Sequence, residues 1–351
     1  MTIVDDPAAI TPTWLSAVLE SAGVDATVAG VKVAPVGTGL MASCYRVEID
    51  YESGNGPSAL VAKLASTDAG SRTAGATSYR TEVAFYRDLA ASLRIRVPRC
   101  YLAEITEEMT TFTLLLEDMA PAEQGDQIAG CTPHQARDAA VNVAGLHGPT
   151  WCDTSLQGLD WLLPSVAEHA EATAGFLHEA TEVFIQNREL DQAAVEVLRG
   201  FAARFVDWGR GRPTPFSLVH NDYRLDNLLF APPASGAPPV TTVDWQVLTV
   251  GLPLRDVAFL LGTGLDTDAR RVHERSIVED YHRALVTSGV AGYDIDACWQ
   301  DYRYALFQGP LITVLGSYVA KPTERGHRMF TAMAERSTAA IRDLDAFELV
   351  S

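Results

Sequence analysis

The stretch SLVHNDYRLDNLLF, Ser217 to Phe230, sets one His, two Asp, one Arg and two Asn within eight residues between apolar flanks. His220, Asp222 and Asn227 follow the spacing H-x-D-x-x-x-x-N, and a later apolar run, TTVDW, carries Asp244. Between them, LLFAPPASGAPPVTTVDW holds two short apolar segments around a Pro/Gly turn and reads as a β-hairpin. Asn227 and Asp244 at the two ends of one hairpin bring an amide oxygen and a carboxylate together. That donor set suits Mg²⁺, which takes oxygen ligands from one or two carboxylates plus substrate phosphates. Asp222 stands apart from the metal and can accept a proton from an attacking hydroxyl. Arg224 can neutralise charge on a transferring phosphoryl group. The stretch alone leaves a plainer reading open, because Asp and Asn cap turns and His220 can serve backbone hydrogen bonds only. We therefore assign His220 a structural role and read Asp226 as a solvated turn residue. An aspartyl-phosphate site would want two Asp one residue apart, and a Ca²⁺ loop would want a Gly and a terminal Glu, so neither fits.

Phosphoryl transfer needs further parts, and the N-terminal third offers them in order. VGTGLMASCYRV sets Gly37, Gly39 and Ser43 in a strand–turn–strand context, where small residues let backbone N–H groups approach phosphates. LVAKL places Lys63 inside an apolar strand, an expensive position unless the ammonium has a partner. Glu82 is the natural partner, on the inward face of a helix read over TSYRTEVAFYRDLAASL with Tyr86, Leu89 and Leu93. Such a pair orients the lysine for the α- and β-phosphates. Taken singly, a snorkelling lysine and a solvated glutamate would be ordinary. The sequence of loop, lysine, glutamate and polar stretch favours the kinase reading.

The surrounding texture predicts how these groups are positioned. TPTWLSAVLESAG predicts a first helix with Thr11 as N-cap, Pro12 at N1 and Gly23 just past the end. β-branched runs then alternate with Gly-rich turns, ESGNGPS among them, up to the strand TTFTLLLEDM, with RVPRCYLAEI read as a turn leading into it. From Thr132 onward the chain reads mostly as helices apart from the hairpin. The expectation is a small β-rich lobe over residues 1–116, a hinge over 117–121 and a larger helical lobe over 122–351.

At 351 residues, 47% hydrophobic and 21% charged, the chain has the composition of a globular protein with a sizeable core. A net charge of −18 argues against nucleic acid as a partner, because a phosphate backbone requires a basic patch. Five scattered cysteines without metal-site spacing argue for a reducing compartment, and the acidic N-terminus is no signal peptide, so the expected location is cytoplasmic. The longest uncharged run, Tyr304 to Ala320, carries an Arg-free but Gln-, Gly- and Pro-containing sequence and reads as a buried helix rather than a membrane span. No protein partner is evident.

The motifs together resemble the protein-kinase-like small-molecule phosphotransferases, the group of aminoglycoside phosphotransferases, choline kinases and ecdysteroid-kinase-like proteins. The likeness runs from about Pro35 to Tyr281, and YRTEVAFYRDLA, VPRCY, LLLEDM, VAGLHGPTW and VDWQ…GLPLRDVAFLLG are most similar to the ecdysteroid-kinase-like branch. The resemblance implies an α+β, two-lobed protein-kinase-like fold and transfer of the γ-phosphate of ATP, with Mg²⁺, to a hydroxyl of a small molecule. It makes Asp222 the base, Asn227 and Asp244 the metal ligands, and Lys63 with Glu82 the phosphate-orienting pair. Gly37 to Ser43 would cover the phosphates, backbone groups near Glu117 and Met119 would bind adenine, and Arg224 would face the transferring phosphate. Asp256 would steady the catalytic loop, a role compatible with its capping the helix that follows. Asn221 stands where many aminoglycoside-type members have Gly, and Trp245 and Gln246 replace the Phe-Gly of protein kinases, which argues against a protein-kinase activation loop; with no APE-like segment either, peptide substrates are not expected. Trp151, Trp299, Tyr302 and Tyr304 are candidate walls of an acceptor cleft. An aminoglycoside-type antibiotic phosphotransferase and a catalytically silent nucleotide-binding protein of the same fold are the alternatives.

Overall fold

A computed structural model describes residues 3–37 and 42–350 of the chain. They form two compact units, which share the chain unevenly: the first takes residues up to Ser92, Val97–Pro121 and Asp244–Val247.

In the first unit, helix α1 (Pro12–Ser21) starts on Thr11, whose hydroxyl accepts the Trp14 N–H, with Pro12 at the first helical position. Strands β1 (Ala26–Val36), β2 (Ala42–Gly54) and β3 (Ala59–Ala65) follow, then helix α2 (Ala69–Ala84), β4 (Cys100–Ile105) and β5 (Phe112–Glu117). They make one antiparallel sheet in the order β1-β2-β3-β5-β4. Alternate residues of β3, Leu60, Ala62 and Leu64, enter a core with Val47, Leu115 and the Leu15, Val18 and Leu19 face of α1. Lys63 lies between two of these buried positions.

Two expectations change here. CYLAEI is not a turn but edge strand β4, whose residues pair with β5 from Cys100↔Leu116 to Ile105↔Phe112. The Pro before it masked the strand pattern, although Pro is tolerated beside an edge strand. The helix bearing Glu82 begins earlier than its apolar period suggested, at Ala69 behind the N-cap Asp68. It also widens into a π-turn over Phe85–Leu89. Leu89 and Leu93 therefore do not continue the face of Glu82 and Tyr86.

The second unit opens with the two-residue strand β6 (Glu123–Gln124), then α3 (Pro133–His147), α4 (Val166–Gln186) and α5 (Gln192–Gly211). Capping boxes fix the starts of α3 (Thr132 with Gln135) and α4 (Ser165 with Glu168). Strands β7 (Ser217–Val219), β8 (Leu228–Phe230), β9 (Val240–Thr242) and β10 (Thr249–Gly251) follow. β8 and β9 pair as the expected hairpin, and β7 pairs with β10. The rest is helical: α6 (Leu254–Gly264), α7 (Thr267–Thr287), α8 (Ile295–Ala305), α9 (Gln308–Val319) and α10 (Glu324–Asp343). Every residue of α6 is buried, which puts Asp256 in the interior. The uncharged run from Tyr304 is not one helix: α8 ends at Ala305 and α9 starts at Gln308. Among the described residues no helix is long and apolar enough to cross a membrane.

Candidate active site

In the β-rich unit, Lys63 and Glu82 meet. The ammonium lies 2.7 Å from Glu82 Oε2 and 2.8 Å from Oε1, with the Lys63 side chain 12% exposed and Glu82 buried. Asp244 Oδ1 stands 3.4 Å from the same nitrogen. Burial alone would lower the Lys63 pKa, but Asp244 and Glu82 more than offset it, so the ammonium holds its proton above the usual lysine range. Glu82 is fixed from its other side as well: Gln246 Nε2 donates to Oε2 at 3.2 Å and the Trp245 N–H to Oε1 at 3.4 Å. The Trp245 indole stacks on Phe85 with ring centroids 3.8 Å apart. The two residues after Asp244, read from sequence only as a departure from protein kinases, thus hold the glutamate that holds Lys63.

Among the described residues Asp244 is one of five non-glycine residues with positive φ, at 68°. A side chain in this left-handed region costs on the order of 1–3 kcal/mol and persists where the surroundings over-determine it. Its carboxylate is 42% exposed.

Just past the end of β1, Gly37 has φ 75°, the conformation glycine adopts without penalty. Gly39 lies outside the described residues. Ser43 sits in β2 opposite Leu64. At the end of β5 the Glu117 N–H donates to Arg99 O at 2.8 Å and its carboxylate accepts the Arg99 N–H at 3.0 Å. Met119 follows in the short connection after β5.

In the helical unit, the loop after β7 carries the other group. Asn227 Nδ2 donates to the Asp222 carbonyl and to Asp222 Oδ2, both at 2.9 Å. Both amide hydrogens are thereby used on Asp222, and Asn227 Oδ1 remains as an acceptor. Val243 N–H closes the hairpin on the Asn227 carbonyl at 3.0 Å. Arg224 spans two acids: Nε lies 3.1 and 3.2 Å from the Asp222 oxygens, and Nη1 2.6 Å from Asp226 Oδ2.

Asp226 is not a solvated turn residue. Its side chain is 12% exposed, and it accepts the Gln127 N–H at 3.1 Å and Arg325 Nη2 at 3.3 Å besides Arg224. Burial would raise its pKa, but Arg224, Arg325 and the Gln127 N–H outweigh burial and hold it below the usual carboxylate range.

His220 is buried, with Nε2 3.1 Å from Val243 O and Nδ1 3.3 Å from the Asp222 N–H. That pair of partners places the proton on Nε2, since a carbonyl needs a donor and an N–H an acceptor. Asp256 is fully buried and gathers three donors: the His220 N–H at 2.7 Å, the Asn221 N–H at 2.9 Å and His147 Nε2 at 3.2 Å. It does not cap α6; the N-cap is Pro253, and Asp256 lies inside the first turn. Asn221 has φ 72°, which explains why a residue tolerant of the left-handed region is needed there. Gln308 Nε2 donates to its carbonyl and Oδ1, each at 2.9 Å, and Arg255 Nη2 donates to Oδ1 at 3.1 Å.

His147, Arg255, Gln308 and Gln127 were not singled out from the sequence. They come from α3, α6, α9 and the segment before α3, and no local spacing announces them. Of the candidate cleft aromatics, Tyr302 is core, with its hydroxyl on Glu274 at 2.9 Å. Trp299 stacks on Tyr302 and Trp151 packs on Tyr293.

The family model of a phosphotransferase enzyme family matches residues 46–296. No curated protein matches the chain in sequence. Among solved structures it is similar to choline kinase from Cryptosporidium parvum, at 10% identity over 91% of each chain with a TM-score of 0.59. An ethanolamine kinase from Plasmodium vivax matches at 12% identity over 87% of this chain and 82% of that one, with a TM-score of 0.53. The GDP complex of wild-type aminoglycoside 2'-phosphotransferase-IIIa matches at 14% identity over 93% and 98%, with a TM-score of 0.56. At these identities the likeness is one of fold: a β-rich N-terminal lobe and a larger, mainly helical C-terminal lobe of the protein-kinase-like kind.

Proposed function

The chain belongs to that phosphotransferase enzyme family, and on this premise we propose that it moves the γ-phosphate of ATP to a hydroxyl of a small molecule. The observation that carries the reading is the Asn227 amide, which spends both hydrogens on Asp222 and keeps its oxygen for another partner. One residue then orients the base and offers a hard-cation ligand. The neighbours named choline kinase, ethanolamine kinase and aminoglycoside phosphotransferase, the last with GDP, support nucleotide use and a small acceptor.

In this reading Lys63, held by Glu82, binds the α- and β-phosphates, the stretch from Gly37 to Ser43 covers them, and backbone groups near Glu117 and Met119 bind adenine. Asn227 and Asp244 would hold Mg²⁺, whose charge shields the phosphate oxygens. An amide oxygen and an exposed carboxylate fit that ion, because phosphate oxygens and water complete its shell. Asp222 accepts the acceptor's hydroxyl proton as its oxygen attacks the γ-phosphorus. The bond from that phosphorus to the bridging oxygen breaks, and ADP leaves. Arg224, now shared between Asp222 and Asp226, stabilises the transferring charge. His220 and Asp256 position the loop. The acceptor is a hydroxylated metabolite of the less polar kind suggested by the ecdysteroid-kinase-like motifs.

Nucleotide turnover screened against hydroxylated metabolites and antibiotics tests this. Asp222→Asn should reduce turnover by about 10²–10⁴-fold while ATP still raises Tm. Full activity in that variant rules out Asp222 as base. A chain that ATP stabilises regardless of Mg²⁺, with no turnover on any acceptor, is the silent nucleotide-binding protein instead.

A further inference from the structure

The helical unit contains a cavity of about 220 Å³ whose charged lining residues are Arg210, Arg212 and Arg255, with no carboxylate on its wall. Arg210 is paired with Glu171 and Arg212 with Asp301. Arg255 differs. It is only 5% exposed, and its Nε and Nη2 are bound to the neutral oxygens of Gln308 and Asn221. The Trp208 ring centroid lies 5.3 Å from its guanidinium carbon. No carboxylate is among its hydrogen-bond partners. Burial lowers its pKa to about 10, so it is still cationic at neutral pH.

The nearby Asp256 carboxylate partly offsets the cost of burying this charge, but it accepts the His220 and Asn221 N–H groups. A buried guanidinium hydrogen left without an acceptor is costly, and Nη1 has no hydrogen-bond partner among the described residues. That nitrogen lies 3.3 Å from where a Cβ on Gly251 would stand, and Gly251 lines the cavity. The first residues of the 21-residue helix α4, Val166 and Ala167, line it too. The positive end of a helix dipole thus adds to the arginines.

We propose that this cavity binds a small oxyanion, a carboxylate or phosphate group, which accepts a hydrogen bond from Arg255 Nη1. The volume corresponds to several waters at about 30 Å³ each and lies below the roughly 300 Å³ where drug-sized pockets begin. It therefore suits the acid group of a small metabolite. The same guanidinium, with Gln308, holds Asn221 next to Asp222. Occupancy consequently biases the loop that carries the proposed base.

The test is thermal denaturation of the full chain in acetate and in inorganic phosphate, each against chloride at matched ionic strength. A rise in Tm on the order of 2 °C is expected. Ala167→Trp, which fills the mouth from an exposed position, should remove the rise with both anions' cavity component while the ATP-induced shift persists. Should that variant fail to fold, Gly251→Ala crowds Nη1 and should do the same. A shift with acetate that survives both substitutions, or no shift with either anion, overturns the proposal. These readouts need no catalysis, so they fail separately from the phosphotransferase reading. Acetate then identifies the source of the group. Competition against an acceptor, with KM raised and kcat unchanged, places the carboxylate on the acceptor. A changed kcat at saturating acceptor makes it a separate effector acting through the loop, and an anion that binds the cavity yet changes neither KM nor kcat overturns the coupling to the loop.

Discussion

Asp226 lies between Arg224 and Arg325 and also accepts the Gln127 N–H. It anchors the guanidinium that reaches Asp222. Its folded pKa is depressed, so its contribution to stability is fully present above the unfolded value near 4 and is lost as pH falls through the folded one. Asp226→Asn should destabilise the chain at neutral pH by about 1–3 kcal/mol, because two cations lose a partly buried partner. It should also flatten the loss of stability between about pH 4 and the folded pKa. Urea titrations across that window measure both; an unchanged acid slope would refute the assignment. From sequence, Asp226 looked like an ordinary turn residue because its partners are remote: Arg325 is on α10 and Gln127 precedes α3. His220, Asp222 and Asn227 were legible because one short loop fixes their mutual geometry. Arg255, His147 and Gln308 reach that loop only through tertiary packing.

At the scale of elements, helix starts followed local chemistry and close approaches did not. Thr11, Thr132, Ser165 and Asp191 cap their helices through side-chain oxygens, a pattern visible in the residues themselves. Gly145 in α3 has no such signal. A Cβ there would stand 2.6 Å from the backbone carbon of Arg94 and the nitrogen of Ile95. Its carbonyl also accepts the Arg94 N–H at 3.0 Å. Alanine gains up to about 1 kcal/mol of helix propensity over glycine, but backbone atoms cannot swing aside. Gly145→Ala should therefore destabilise by about 1–3 kcal/mol. Gly175, on an exposed face of α4, has nothing within 4 Å of the added carbon. Gly175→Ala should instead stabilise by about 0.5–1 kcal/mol. Chemical denaturation of the two variants side by side checks the contrast, and equal signs would contradict it. Strand β4 was missed for a related reason: an edge strand beside Pro98 pairs on one side only, so its pattern is weak.

For the molecule as a whole, composition constrained partners more than mechanism. A net charge of −18 sets a repulsive background for polyphosphates, so in the proposed reaction nucleotide binding would draw on local cations and on a metal. Lys63 is held ionised by Glu82 and Asp244, whereas Asp244 and Asn227 contribute oxygens and no positive charge. Nucleotide affinity should accordingly depend strongly on Mg²⁺. At a hundredfold excess over Kd, ATP with Mg²⁺ should stabilise the chain by about 2.7 kcal/mol, and EDTA should remove most of that gain while leaving the nucleotide-free Tm unchanged. Asp244→Asn keeps a side chain tolerant of the left-handed backbone but removes the carboxylate. In that variant the Tm shift with ATP should become nearly the same with Mg²⁺ and with EDTA. A full Mg²⁺ increment in Asp244→Asn would show that the metal is held elsewhere, and an ATP shift in the parent chain that ignores EDTA would remove the metal from the reading of this site.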